Sequence, residues 1–446
     1  MINNDNENFD LLAVNDQMQV LWKKSFIGFA LAVDKFKNKV VAIASTDHSG
    51  IKGSNNTYKG FILDAANGKT LAEKVIFTGS DEYMTYPIIY TGEGAYLKLA
   101  VRQSGLKRKL HVGLPFLGGF SINGYAKEFN ETHDLQVLDL NEQLDPIATI
   151  KPAISNGSFI NIRWNKQADM FVGWLNGPSI EVYRYDAGKT TPSAQLTADV
   201  VLKEDKSSLP GEYILFTPSE VNNSILYYSL LYINTNKDAE LGIGKFDFKS
   251  GKKQYVTQVL DKDNLKAVKK AFVPVNKKID DVNTGYGKGM KIRYMNEISG
   301  VLVTTLSSTS SESSSIGSGR WQMEASILIN GYDANLNLKY QQYMPVSYSN
   351  PNFLLPTGYH SEKNKLYIVA NNKDGMVSLK SVYGAFDVTT GQWDKMDYLS
   401  KKKINNSAYS AGGAILWFGN SYIVPYMAPK GLMSIKYDVT LQQDIY

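Results

Sequence analysis

An all-β fold of repeated four-stranded antiparallel units is what this sequence predicts, and three observations carry the prediction. One hairpin spelling recurs along the chain, two further strand-like runs precede nearly every recurrence, and helical periodicity is almost absent. The hairpins read LAVNDQMQV (12–20), ILDAANGKT (62–70), VLDLNEQL (137–144), YRYDAGKTT (183–191), KFDFKSGKK (245–253), NGYDANLNL (330–338), AFDVTTGQW (385–393) and IKYDVTLQQ (435–443). Their anchors, Asn15, Asp64, Asp139, Asp186, Asp247, Asp333, Asp387 and Asp438, lie 47 to 86 residues apart. A minimum of about fifty, stretched by insertions, is the length of one four-stranded propeller blade.

The spelling has a local cause. Short apolar runs rich in Val, Ile, Tyr and Phe suit strands packed between neighbouring sheets. The Asp or Asn closing the first run can bond to the turn backbone, and the Gly, Asn or Ser after it tolerates a positive φ. Each hairpin therefore reads as the two outer strands of a blade. The inner pairs are, in order, GFALAVD with KVVAIAS, PIIYTG with AYLKLAV, FINIRWN with DMFVGWL, YILFTPS with SILYYSLLY, MKIRYMN with GVLVTTL, FLLPTGY with KLYIVAN, and GAILWFG with SYIVPYM.

Seven complete units thus follow a lone hairpin. The prediction is a β-propeller of seven four-stranded blades, with eight blades as the alternative, formed by residues 1–446 as a single domain. Residues 1–8 read as a linker and residues 9–24 as a segment taking part in ring closure, because an open sheet edge invites pairing with other chains. One helix is expected, over DKDNLKAVKKAF (261–272), and the serine run at 307–315 reads as a flexible loop.

With no Cys among 446 residues, disulfides, thiolate nucleophiles and cysteine metal sites are excluded. Lys plus Arg number 48 against 43 Asp plus Glu, and a formal charge of +5 on so large a surface lacks the dense basic stripe of a nucleic-acid binder. No apolar run is long enough for a transmembrane helix, and the polar start MINNDNENFD is not a signal peptide. That start, with 28 Tyr, 36 Gly and only 4 His, reads as an exposed linker left after an export signal is removed. The expectation is an extracytoplasmic monomer, in the periplasm or at the cell surface.

In propeller topology, the connections from second to third strand and from fourth strand to the next blade share one face. The long insertions, 46–58, 102–134, 261–290 and 307–321, all fall on such connections. Binding residues gather on loops held by a rigid scaffold, so the site is expected on that face. The insertion at 102–134 places Arg102, Lys107, Arg108, Lys109 and His111 ahead of an apolar, Gly-rich stretch. It reads either as a cationic rim with an aromatic contact surface or as a solvated loop whose apolar half packs on its blade. Arg163 in INIRWN and Arg293 in MKIRYMN occupy matching places in inner strands. If both turn toward the central channel they converge on a carboxylate or phosphate; otherwise they pair with blade carboxylates or point outward.

Trp321, with Trp174, Trp393 and Trp417, is a candidate for stacking on a ligand ring, whereas Trp164 and Tyr294 read as core. The four histidines, His48, His111, His133 and His360, all fall in expected loops, and His360 joins the candidate ligand contacts. No His-x-His repeat or helical His spacing is present, so no metal site is assigned. GYGKG (285–289) lacks the following Ser or Thr and the strand-to-helix setting of a phosphate loop. No Ser, His and Asp set is selected by spacing.

The hairpins FDVTTGQW and NDQMQVLW resemble the repeat of quinoprotein-like and lactonase-like β-propellers. The Gly-x-x-x-Trp docking pattern of quinoprotein dehydrogenases is not repeated, and no cofactor is assigned. The Asn-, Lys- and Tyr-rich, Cys-free composition also resembles extracytoplasmic propeller lipoproteins of Bacteroidota, some of them similar to helpers of outer-membrane receptors for siderophores or glycans. The resemblance implies a non-enzymatic ligand-binding or scaffold propeller. Its elaborated face would take an anionic or aromatic small molecule, or an outer-membrane receptor protein, in siderophore or glycan uptake. The alternative is a lactonase-like hydrolase with a divalent cation in the central channel, or a polysaccharide-acting enzyme. The inner strands offer few carboxylates for such a cation.

Overall fold

The apolar runs form strands, and the strands form seven four-stranded antiparallel sheets, the blades of a β-propeller, preceded by one three-stranded sheet. The computed structural model describes residues 2–4, 8–15, 17–46, 56–80, 83–104, 131–200, 213–233, 238–273, 275–276, 289–313, 320–351, 357–374, 378–399, 408–429 and 437–445. The chain divides into two units, Met1–Glu212 with Phe248–Lys252, and Tyr213–Asp247 with Lys253–Tyr446.

In the first unit, β1 (Ile2–Asn4), β2 (Asn8–Val14) and β3 (Val20–Ile27) form the N-terminal sheet. Blade I is β4 (Phe29–Phe36), β5 (Lys39–Ser45), β6 (Thr57–Asp64) and β7 (Thr70–Thr78). Blade II is β8 (Met84–Tyr90), β9 (Lys98–Ser104), β10 (Thr132–Leu140) and β11 (Pro146–Ile150). Blade III is β12 (Ser158–Trp164), β13 (Met170–Asn176), β14 (Ser179–Tyr185) and β15 (Ala194–Asp199). The expected hairpin at 9–24 is present, but its ladder partners are its own two strands and β1. It packs on blade I, with the Phe26 ring 5.2 Å from Phe9 and 4.6 Å from Phe61.

In the second unit, blade IV is β16 (Ile214–Pro218), β17 (Ile225–Ile233), β18 (Ala239–Asp247) and β19 (Lys252–Leu260). Helix α1 (Lys262–Ala271) follows where a helix is expected; Asp261 caps it, accepting from Asn264 N at 2.7 Å, and Leu265 anchors it to the core. Blade V is β20 (Gly289–Ile298), β21 (Val301–Ser313), β22 (Arg320–Tyr332) and β23 (Leu338–Pro351). Blade VI is β24 (Gly358–Glu362), β25 (Lys365–Asp374), β26 (Ser378–Asp387) and β27 (Gln392–Tyr398). Blade VII is β28 (Tyr409–Ser410), β29 (Leu416–Phe418), β30 (Ser421–Pro429) and β31 (Tyr437–Ile445). Here β28 and β29 share one edge of β30, interrupted by a turn at Gly412–Ala414, and β31 takes the other edge.

One expected loop is a strand. The serine run is not a flexible loop: Ser307 to Ser313 continue β21 and pair with β22 as far as Ser313 opposite Arg320. Backbone ladder bonds, satisfied on both strands, outweigh the weak strand preference of serine.

Period-two alternation sends each strand's side chains into two different cores. In β21, Val301 and Val303 pack against blade VI while Leu302 and Leu306 pack against blade IV. In β25, Leu366, Ile368 and Ala370 face blade V while Val369 faces blade VII. Burial on both faces is why these strands read as unbroken apolar runs.

Several hairpin anchors act as the sequence implies, whereas the hairpin expected at 435–443 is not formed, Asp438 lying within the continuous strand β31 opposite Ala428. Asp64 Oδ1 accepts from Ala66 N at 2.8 Å, Asp333 Oδ1 from Asn335 N and Asn337 N, both at 2.8 Å, and Asn15 Oδ1 from Gln19 N at 2.8 Å. In blade II the turn is instead held by Asn141, two residues beyond the expected Asp139, which accepts from Gln143 N at 2.8 Å and Asp145 N at 2.9 Å. Asp139 serves another purpose, pairing with the buried Lys98 directly opposite it in the ladder. The long connections join β5 to β6, β9 to β10 and β19 to β20, opposite in each sheet to the hairpin turns, whereas residues 314–319 alone join the extended β21 and β22. Among the described residues, no helix is long and apolar enough to cross a membrane.

Asp387 combines both roles. It accepts from Lys365 Nζ and Asn364 Nδ2, each at 2.7 Å, and from Thr389 N at 2.9 Å and Thr390 N at 3.1 Å. Burial alone would push its carboxyl up, but the bonds from Lys365, Thr389 and the turn backbone hold it well below the usual carboxylate range. The folded state thus binds this proton more weakly than the unfolded chain does. The stabilisation is present above the unfolded value of about 4 and is lost as pH falls through the folded value. Asp387→Asn is expected to lower the melting temperature at pH 7, costing about 1–3 kcal/mol. Its deficit against the parent protein should shrink in melts recorded at progressively lower pH; a deficit independent of pH would contradict this account.

Candidate functional site

The predicted residues have different surroundings. Arg102, in β9, is only 8% exposed, its guanidinium lying 4.9 Å from the Tyr86 ring and 5.0 Å from the Phe159 ring. Burial lowers its pKa, and it is a packed cation rather than a rim group. Lys107, Arg108 and His111 lie outside the described residues. Trp321 is placed by its backbone, in β22 opposite Glu312 and Pro351, while its side chain lies outside the described residues. Trp174 is fully buried, and Trp393 donates Nε1 to the Tyr343 carbonyl at 3.2 Å while its ring packs on Phe386, so both are structural.

The Ile-Arg-aromatic match between β12 and β20 does not survive as a match in register. Arg163 is opposite Phe171, one residue from the closing pair Trp164 and Met170, and its Nη1 lies 3.4 Å from both Asn161 Oδ1 and the Ile162 carbonyl. Arg293 is five residues from its closing pair, Ile298 and Val301, and is the extra residue of a β-bulge: Ile292 pairs with Leu306 and Tyr294 with Thr305. Arg163 belongs to the first unit and Arg293 to the second.

The bulge is what builds the site. Because Arg293 is extra, Ile292 and Met295 face the same core with blade IV although they are three residues apart. Beyond them Glu297 continues on that face, accepting from Tyr227 Oη at 3.1 Å and Glu220 N at 2.7 Å. Tyr294 is thereby turned toward blade VI, where its ring stacks on Tyr359 at 5.1 Å. Arg293 itself lines a cavity of about 370 Å³, with Tyr294, Thr357, Tyr359, Ile415 and Trp417. Bulges commonly re-aim a side chain in this way. Arg293 Nε donates to Ser307 Oγ at 2.9 Å, which fixes the plane of the guanidinium.

Bare backbone supplies another part of the wall, at Gly358, Gly412 and Gly413. Gly358 and Gly412 lie back to back: a Cβ on Gly412 would come within 2.4 Å of Gly358 N, and one on Gly358 within 2.6 Å of the Gly412 carbonyl oxygen. Beside this seam the buried Asn371 clamps β28, donating Nδ2 to the Ser410 carbonyl at 2.9 Å and accepting from Ser410 N at 2.9 Å. The first strands of blades V, VI and VII therefore line one cavity.

His360 stands behind the aromatic wall, its ring 5.0 Å from Trp417 and nearly parallel to it at 12°. Burial pushes its imidazole below the usual histidine range against the opposing pull of Glu362, so it is neutral at pH 7. Trp417 is backed on its other side by Tyr422 at 5.1 Å. Among the described residues, Arg293 is the one charged side chain in the cavity lining. Among the described residues no three His, Asp or Glu side chains gather to hold a metal ion.

Of the predicted contacts, then, Arg293 lines the cavity, His360 supports it and Arg163 and Arg102 lie in the other unit. Tyr294, expected in the core, packs against the core between blades V and VI and also lines the cavity. The glycines, Thr357 and Tyr359 were not singled out by sequence. Their signal lies in the TGY and AGG spellings ahead of two first strands, and in the break of alternation between Ile292 and Met295.

No family model matches this chain, and no curated protein matches it. Similar solved structures include the β-propeller domain of the Trilobed protease from Pyrococcus furiosus, with a TM-score of 0.42 and 9% identity over 94% of this chain and 97% of that one. The WD40 domain of coronin from Toxoplasma gondii gives 0.39 and 11% identity over 95% and 80% of the two chains. A protein from Lactobacillus plantarum gives 0.41 and 10% identity over 89% and 96%.

The seam makes a direct prediction. Gly412→Ala is expected to force the two first strands apart and destabilise the protein by about 1–3 kcal/mol, the usual cost of overpacking. Denaturant unfolding measures the loss, and a neutral substitution would show that the close approach is not a constraint.

Proposed function

We propose that the protein is a non-enzymatic ligand-binding propeller and that the second unit's cavity is its binding site. The observation that carries this reading is the bulged Arg293, aimed among Tyr294, Tyr359 and Trp417 in a cavity of about 370 Å³. That volume lies in the usual range of small-molecule sites, about 300–1,000 Å³, and the lining has the usual character of apolar rings with a few placed polar groups. A cation held in plane by Ser307 favours an anionic ligand, and half-buried rings favour a flat one. The Asn-, Lys- and Tyr-rich, Cys-free composition supports an extracytoplasmic setting. There the protein would hold a solute for siderophore or glycan uptake, beside an outer-membrane receptor. A hydrolase reading is less favoured because, among the described residues, the cavity lining offers no carboxylate or histidine to act as base or metal ligand.

A thermal-shift screen with a chemically diverse metabolite library tests the reading. A ligand at about 100 times its Kd should add about 2.7 kcal/mol of stability. The shift should disappear in Trp417→Ala. Hits unaffected by that substitution would place binding elsewhere, and turnover of any hit would overturn the non-enzymatic assignment.

A further inference from the structure

We propose that Asn176 is a site of spontaneous covalent modification, its side-chain amide lost by ring closure with the backbone nitrogen of Gly177. The inference goes beyond the binding reading and does not depend on it. An asparagine followed by glycine can cyclise because glycine, without a Cβ, leaves its backbone nitrogen sterically open beside the asparagine side-chain carbonyl. Four such pairs lie among the described residues, Asn67 with Gly68, Asn156 with Gly157, Asn176 with Gly177 and Asn330 with Gly331, and the fold treats them differently.

Three of the pairs are restrained. Asn67 Oδ1 accepts from Lys69 N at 2.8 Å, its Nδ2 donates to Asp64 Oδ2 at 3.2 Å, and Gly68 N donates to the Asp64 carbonyl at 2.9 Å, so every atom the reaction needs is engaged. Asn330 is fully buried, its Oδ1 accepts from Gln341 Nε2 at 3.0 Å, and Gly331 lies against the Tyr340 ring. Asn156 is exposed, but Gly157 N donates to Ser155 Oγ at 3.3 Å and a Cβ on Gly157 would come within 2.4 Å of the Leu175 carbonyl oxygen.

Asn176 is placed differently. It is the last residue of β13, paired with Ser179 across the two-residue loop of Gly177 and Pro178, and Asn176, Gly177 and Pro178 are all exposed. Gly177 has φ +58°, the glycine that a type II′ turn requires at its first central position. The ladder runs through Asn176 and Ser179, which leaves the Gly177 N–H outside it. A Cβ on Gly177 would meet nothing within 4 Å, so the surroundings of the attacking nitrogen are open. Only the closing rung of the hairpin has to open for Asn176 to turn its side-chain carbonyl toward that nitrogen, and such end rungs open at small cost.

The chemistry balances with water alone. Base in solution takes the Gly177 amide proton, the nitrogen bonds to Asn176 Cγ, and the Cγ–Nδ2 bond breaks with release of ammonia, leaving a five-membered succinimide. Water then opens the ring. Cleavage at Cγ gives aspartate, and cleavage at the backbone carbonyl gives isoaspartate, whose chain runs through Cγ. No electrons are exchanged. Either product puts a new carboxylate on the tip of the hairpin, and isoaspartate also lengthens the backbone by one carbon, which the two-residue loop cannot absorb without losing the rung to Ser179.

Incubating the folded protein in mildly alkaline buffer and mapping its peptides by mass spectrometry tests the assignment, with isoaspartate detected by enzymatic methylation. Conversion at Asn176 should be at least about 10-fold faster than at Asn67 or Asn330, whose amides must first break free of their hydrogen bonds. Asn176→Gln should remove the fast phase of ammonia release, because the longer side chain closes a six-membered ring far more slowly. In denaturant the four pairs should convert at similar rates. Asn67 or Asn330 converting as fast as Asn176 in the folded protein overturns the proposal, as does an unchanged fast phase in Asn176→Gln. The same ranking in denaturant overturns the assignment of the difference to the fold.

Discussion

A strand buried on both faces must divide its side chains between two cores, and the rest of this structure depends on that parity being kept. In blade V, residues 301 and 303 serve one neighbour and 302 and 306 the other, so a slip of one residue would exchange both sets at once. Every other device in the fold can be read as protecting this register. The hairpin turns fix where the third strand ends, through carboxylate and amide oxygens on the turn backbone. In blades II and VI a lysine stands directly opposite the aspartate at the end of that strand, Lys98 against Asp139 and Lys365 against Asp387.

Such pairs are poor sources of stability, because removing both charges from water offsets most of their attraction. Their effect on register is sharper. A shifted ladder would leave Lys98, only 4% exposed, without its carboxylate, at a cost that a correctly paired ladder avoids. One end of each sheet is therefore short and chemically pinned, while the other carries the long connections. The candidate cavity is built from the first strands themselves rather than from those connections, which is why it can be rigid.

Much of the architecture was legible because its signals are local. The anchors of the hairpins, the apolar pairs before them and the capped helix after Asp261 each depend on a few neighbouring residues. The failures share the opposite character. The serine run at 307–313 has no local preference for a strand and becomes one because its partner strand is there to pair with. Asp139 was read as a turn residue because spelling cannot show that Lys98 faces it across the ladder. The site was half legible: Arg293 was found by a motif match with Arg163 that register does not support, and the residue mattered for a different reason. Gly358 and Gly412 are invisible in sequence because their importance is to each other, across two blades.

The bulge at Arg293 separates what folds from what binds. Excise that residue and Ile292 and Tyr294 become ordinary neighbours in an unbroken ladder, opposite Leu306 and Thr305, and Tyr294 and everything after it keep the sides they already present. The bulge thus absorbs the inserted arginine without disturbing the remainder of its strand, where Met295 and Glu297 stay on blade IV and Tyr294 on Tyr359. The ladder asks for neither the identity nor the presence of this residue, so the side chain it carries is free for chemistry.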